Sequence, residues 1–174
     1  FNSDVYPVVY QQGSLGASGD LVPLAHLCLP LVGLGEVEYR GKVMGAAEAL
    51  RKNGWKPIQL ASKEGLALLN GTQNMSAYAV WAILNSKRLA DWADAIAAMS
   101  LDAYCGLVEP FIDAVHQVRP HRGQIFTAQR MRELLDGSEI VAKPKEYVQD
   151  PYSFRCIPQV HGAMRDTLAY VESV

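Results

Sequence analysis

The chain has 174 residues, 49% of them hydrophobic, which is enough to fill one real core. Sixteen basic against eighteen acidic side chains leave a formal net charge of −2, too little to build a strong field for nucleic acid or an anionic membrane. Cys28, Cys105 and Cys156 are odd in number and far apart, which argues against a disulfide framework or thiolate metal site and for reduced thiols in a cytoplasmic protein.

Residues 1–12 are short and turn-prone around Pro7, an approach to the glycine-rich run Gly13-Ser14-Leu15-Gly16-Ala17-Ser18-Gly19-Asp20. From Asp20 to about Leu34 the pattern predicts a buried helix with Asp20 as N-cap, Pro23 in its first turn and a bend near Pro30. Its apolar run, Leu21 to Gly35, is too short and too broken for a membrane span. Glu36 to Met44 alternates around Arg40-Gly41 and reads as a small hairpin. Ala46 to Asn53 is a short helix stopped by Gly54, and Ser62 is placed to cap another that ends at Asn70-Gly71.

Between Gly71 and Gly106 there is neither glycine nor proline, while Met75, Tyr78, Ala82, Leu89, Trp92 and Ile96 recur at helical spacing. This predicts one long helix over about 72–105, a bundle element that other chains would complete, with these residues as core or interface. Pro110 to Val118 and Gln124 to Leu135 add two helices, the second closed by Gly137, and Ile140 to Val148 is a polar connector. Gln149-Asp150-Pro151-Tyr152-Ser153 turns into a last helix from about Pro158 to the end. The fold class is therefore mainly α, a long-helix bundle with a small β-hairpin and a glycine-rich loop. His26 reads as packed in its helix. His116, His121 and His161 lack ligand spacing and companion carboxylates, so no metal is assigned. Arg119, His121, Arg122 and Arg130 read as a solvated or subunit-facing basic surface.

The glycine-rich run admits two uses. It is either a plain loop before a helix or a site of backbone chemistry, since a Walker-type phosphate loop would need a Lys-Ser/Thr ending that is missing. In Ala17-Ser18-Gly19 neither flank carries bulk, so the Gly19 nitrogen can reach the Ala17 carbonyl carbon if the chain bends hard. Closure and loss of two waters would leave a methylidene-imidazolone, an electrophile that no ordinary side chain supplies. The positive end of the following helix would draw electron density from it.

The run Gly13 to His26 resembles the signature of the aromatic amino acid ammonia-lyases, whose ring cofactor is made by this route from Ala17, Ser18 and Gly19. Two further stretches, Leu68-Leu69-Asn70-Gly71-Thr72-Gln73 and Gln149-Asp150-Pro151-Tyr152-Ser153-Phe154-Arg155-Cys156, are similar to the family's motifs. By their residues alone these are a helix C-cap and a turn. The resemblance implies that Asn70 supports the electrophile and substrate, that Gln149 and Tyr152 line the site with Tyr152 assisting proton handling, and that Arg155 holds the substrate carboxylate. Arginine suits that role because its planar fork donates two parallel hydrogen bonds.

The resemblance covers almost the whole chain and implies the family's helical fold and a homotetramer with shared active sites. It also implies elimination of ammonia from an L-amino acid by an autocatalytic methylidene-imidazolone, without metal or dissociable cofactor. Leu24-Ala25-His26 and Asp150-Pro151-Tyr152-Ser153-x-Arg155-Cys156 resemble the histidine-directed branch, which makes urocanate. Phenylalanine or tyrosine lyases and aminomutases of the same family are alternatives, and a helical assembly protein with an unmatured loop is one of a different class. Phe1 lacks a methionine before it and Val174 ends an unfinished helix, so residues 1–174 read as a central segment of the lyase domain. The family's base tyrosine and its side-chain-selecting residues are then expected before Phe1, a glutamate facing the imidazole after Val174, and the segment alone is expected to be inactive.

Overall fold

The computed structural model describes all 174 residues, which divide into two compact units, Phe1–Val80 and Trp81–Val174. In the first, alternating side chains on either side of Arg40-Gly41 give strands β2 (Glu36–Tyr39) and β3 (Lys42–Gly45). Both turn residues take positive φ, 52° and 77°, the geometry that matches strand twist in a two-residue hairpin. The approach segment, expected as a turn, adds strand β1 (Val5–Pro7) antiparallel to β2, with Val5 opposite Tyr39. Pro7 closes that edge strand, where a missing N–H is tolerated. Val37 is buried against Ala46 and Ala49 of α2 (Ala46–Lys52).

Helix α1 (Leu21–Cys28) runs on as a 3-10 turn, Leu29–Val32, around Pro30. The expected bend is thus a change of helix type. Two capping expectations fail. The Asp20 side chain makes no cap bond to α1. Lys63, not Ser62, precedes α3 (Glu64–Leu69), and the Glu64 carboxylate reaches back to accept the Ala61 N–H at 2.7 Å.

Helix α4 runs Gln73–Ala103, 31 residues or about 46 Å at the α-helical rise, because no glycine or proline interrupts it. Its buried positions are Ala90, Asp94, Ala98 and Leu101, not the large apolar series read from spacing. Leu89 and Trp92 are 67% and 64% exposed, and Met75, Tyr78 and Ile96 are also exposed. Two alanines, one aspartate and Leu101 occupy the side where packing is close, so the rest of the bulky apolar series lies elsewhere on the helix.

In the second unit the core gathers Ala98 and Leu101 with Phe111, Met131, Leu135 and Ile157, from α4, a 3-10 turn at Glu109–Phe111, α6 (Arg122–Leu135) and α8 (Ile157–Ser173). Helices α6 and α8 approach so closely at Gly123 and Gly162 that a Cβ at either would strike the other's backbone. Between the 3-10 turn and α6 lies α5 (Asp113–Gln117), whose buried His116 meets the Pro110 carbonyl and the Gln124 amide, each at 2.9 Å.

Fully buried Asp94 meets Arg165 Nη2 at 2.5 Å, His161 Nδ1 at 2.8 Å and Arg130 Nε at 3.2 Å. His161 therefore has the companion carboxylate that sequence spacing hid, 67 residues away. Arg130 likewise leaves the basic surface in which it was read and serves a buried charge.

Candidate functional site

The loop 13–20 is held by backbone geometry that few side chains permit. Gly13, Gly16 and Gly19 all have positive φ, and so does Ser18, at 57°. A non-glycine residue in the left-handed region stores strain that the surroundings must offset, and here it is the residue whose hydroxyl would be lost. Ser14 Oγ donates to Asp20 Oδ1. The other carboxylate oxygen of Asp20 is buried without a partner, one residue from Gly19 and at the start of α1.

Gly19 lies against the Asn70-Gly71 junction: a Cβ there would stand 2.9 Å from the Gly71 carbonyl oxygen. The first unit thus brings together Ala17-Ser18-Gly19 and the second motif, 52 positions on. A ring made from the loop's own backbone fits these residues, since the bend is present at Ser18, bulk is excluded at Gly19 and an unpartnered carboxylate oxygen lies alongside. Asn70 follows α3 in extended conformation, and its Nδ2 donates to the Leu66 carbonyl at 2.8 Å. That bond holds the side chain in one orientation. His26 packs edge-on against Tyr10, ring centres 5.1 Å apart, as a packed histidine should.

The third motif forms one turn of the second unit. The Pro151 carbonyl accepts the N–H groups of Phe154 and Arg155 at 3.0 and 3.3 Å, which starts the short helix α7 (Tyr152–Arg155). Gln149 and Tyr152 are exposed, and the Cys156 side chain beside the Tyr152 hydroxyl raises that phenol above its ordinary value of 10.0. Arg155 is half-buried and lines a cavity of about 570 Å³ with Leu107, Lys143, Lys145 and Tyr147. Arg130, Arg132 and Arg165 have carboxylate partners within the chain, and Arg155 has none. Its fork is free of internal carboxylates, as are those of Arg40, Arg51, Arg88, Arg119 and Arg122.

Two residues at and just before this turn escape sequence reasoning. Asp150 is 2% exposed, with Oδ2 accepting the Leu107 N–H at 2.6 Å and Oδ1 accepting the Tyr147 O–H at 2.9 Å. Burial, and then the Asp150 carboxylate, push the Tyr147 phenol up to about 12. In sequence Asp150 is only a turn residue before proline, and Tyr147 only an aromatic in a polar connector. The one usable signal was that Asp150 is the only acidic residue of the motif Gln149 to Cys156.

A mainly helical chain with a strained Ala-Ser-Gly loop against an Asn-Gly junction, and an unpaired arginine on a Gln-x-x-Tyr-x-x-Arg turn, defines a class. The chain belongs to the aromatic amino acid lyase family, whose model matches residues 1–174. It is 49% identical over 174 residues to histidine ammonia-lyase of Caldanaerobacter subterraneus subsp. tengcongensis, covering 99% of this chain and 34% of the relative. Among solved structures it is similar to histidine ammonia-lyase of Trypanosoma cruzi, at 40% identity and a TM-score of 0.82, over 97% of this chain and 31% of that one. It is also similar to the phenylalanine aminomutase of Pantoea agglomerans, at 34% identity and a TM-score of 0.87, over 99% and 36%. The chain spans about a third of the length of the curated relatives it matches. No helix is long and apolar enough to cross a membrane, and the three cysteines are free.

Proposed function

We propose that residues 1–174 are the central segment of a cytoplasmic, homotetrameric lyase with shared active sites. It removes ammonia from L-histidine without oxidation and leaves urocanate, the first step of histidine degradation. The observation that carries this is the loop: Ser18 bent into the left-handed region and Gly19 pressed on the Gly71 carbonyl, in a chain half identical to proteins named histidine ammonia-lyase. The ring made from Ala17, Ser18 and Gly19 supplies an electrophile at the N-terminal end of α1. Arg155, free of internal ion pairs, binds the carboxylate through two parallel bonds and so fixes the substrate's orientation. Tyr152, with its raised pKa, stays protonated near neutrality and donates a hydrogen bond rather than acting as the base. Gln149 offers an amide edge. The Leu66 carbonyl holds the Asn70 amino group, so Asn70 presents its carbonyl oxygen as an acceptor.

An aminomutase is the second reading, favoured by the likeness to the phenylalanine aminomutase; it would return the amine to the β-carbon. The test is an ultraviolet assay of the full-length protein with L-histidine, L-phenylalanine and L-tyrosine offered separately. Absorbance rising with histidine alone is expected. A rise with either of the others would keep the lyase chemistry and discard the substrate, and a β-amino acid product would favour the mutase. Silence with all three, together with an intact mass that has not lost two waters, would favour an unmatured helical assembly protein. Ser18→Ala is expected to remove the ring and nearly all turnover while leaving the fold; unchanged turnover would sink the mechanism.

A further inference from the structure

The buried carboxylate of Asp150 does not face the cavity that Arg155 lines as a free charge. Both its oxygens are engaged, one by the Leu107 N–H just beyond α4 and one by the Tyr147 hydroxyl. The same hydroxyl lies 3.0 Å from the Cys105 carbonyl, so its one hydrogen is shared between Asp150 and a second acceptor at the exit of α4. At that exit Cys105 takes φ 59°, and the Gly106 N–H turns back to the Leu101 carbonyl at 2.9 Å. Gly106 is needed there, because a Cβ would strike the buried Leu101 side chain and crowd Asp150 Oδ2 at 3.1 Å. On the other side, Asp150 is bonded to Pro151, whose carbonyl receives the Phe154 and Arg155 N–H groups. A short covalent and hydrogen-bonded path thus runs from the end of α4 through Asp150 to the backbone of Arg155.

We infer that Asp150, latched by Leu107 and Tyr147, is a positioning residue that sets the aim of α7 and hence of the Arg155 guanidinium. This rests on the proposal that Arg155 holds the substrate carboxylate. Leu107, Tyr147 and Arg155 all line the one cavity, so a shift of the latch is a shift of its wall. A group that only stabilised the fold would change melting and leave substrate affinity alone. A latch that aims Arg155 changes KM first.

The experiment uses the full-length protein with Asp150→Ala, Asp150→Asn and Tyr147→Phe, reading KM, kcat and amide exchange at Leu107 and over residues 152–156. Losing both bonds in Asp150→Ala is expected to raise KM roughly tenfold or more while kcat falls less, as expected for one to two lost hydrogen bonds to a charged group. Asp150→Asn should restore KM to within about threefold, since a carboxamide can accept from Leu107 and donate to the tyrosine oxygen. Tyr147→Phe should raise KM by a few-fold. It keeps the test decisive if Asp150→Ala does not fold, because Tyr147 is 41% exposed. Exchange at Leu107 and 152–156 should quicken in Asp150→Ala and Tyr147→Phe while the α6–α8 core is unchanged. Wild-type KM and exchange in folded variants, or a loss confined to kcat, would overturn the latch. Absence of turnover in the wild-type protein would instead count against the proposed function, and amide exchange would still decide the latch.

Discussion

At the scale of single residues, Arg155 and Tyr147 show what a side chain's partners decide. Arg155 has no carboxylate within the chain, so its fork is available, and Arg155→Lys keeps the charge while losing the second parallel bond. The expected outcome is a KM about 10- to 100-fold higher, the size of one hydrogen bond to a charged group, with the ring still formed; steady-state kinetics beside an intact mass checks it. Tyr147 carries a pH signature. Its folded pKa of about 12 lies above the ordinary 10.0, so the folded state binds more protons between those values. That stability is fully present below pH 10 and is lost as pH rises through 12. Urea titrations of wild type and Tyr147→Phe should therefore converge across this window, and parallel curves would refute it. Arg155 was legible in the sequence because its motif is contiguous. Asp150 was not, because its worth depends on Leu107, 43 positions away.

At the scale of elements, length was easier to read than facing. The ends of α4 follow from the glycines at 71 and 106, but its buried side is set by what packs there, and two alanines, an aspartate and Leu101 win over the aromatic and aliphatic series. The hairpin was legible from alternation. Strand β1 was not, since three residues carry no period and gain their conformation from pairing with β2. Asp94 carries no signal in the sequence and is the hub of α4, α6 and α8, answered by Arg130, Arg165 and His161. Removing it leaves two guanidinium groups without their main counter-charge. Asp94→Ala should cost about 3–5 kcal/mol of stability in the full-length protein, the usual penalty for breaking a buried pair, measured by denaturant unfolding. A cost under about 1 kcal/mol would place the cluster with surface ion pairs instead.

At the scale of the whole molecule, the large apolar residues of α4 pose the question of what covers them. Trp81, Leu89, Trp92, Ile96 and Met99 are more than half exposed, far more apolar surface than a single helix leaves to water. In the proposed homotetramer they lie between copies. Paired Leu89→Glu and Trp92→Glu, placing charges in that proposed interface, should shift the full-length protein from tetramer to smaller species in sedimentation, with turnover falling in step, as the proposed shared active sites require. A tetramer that persists with full activity would remove α4 from the interface. The family and the three motifs were legible at this scale from contiguous residues. The division into two compact units was not, because α4 runs unbroken across the boundary at Val80.

The approach of Gly19 to Gly71 also sets limits on how this loop can be re-engineered. The atom that bars a side chain at position 19 is a main-chain oxygen, so no exchange of a neighbouring side chain makes room for it. A combinatorial library over positions 19 and 70–72 should return glycine at 19 in every active clone, and the freedom to tune the loop chemistry then lies with its other positions.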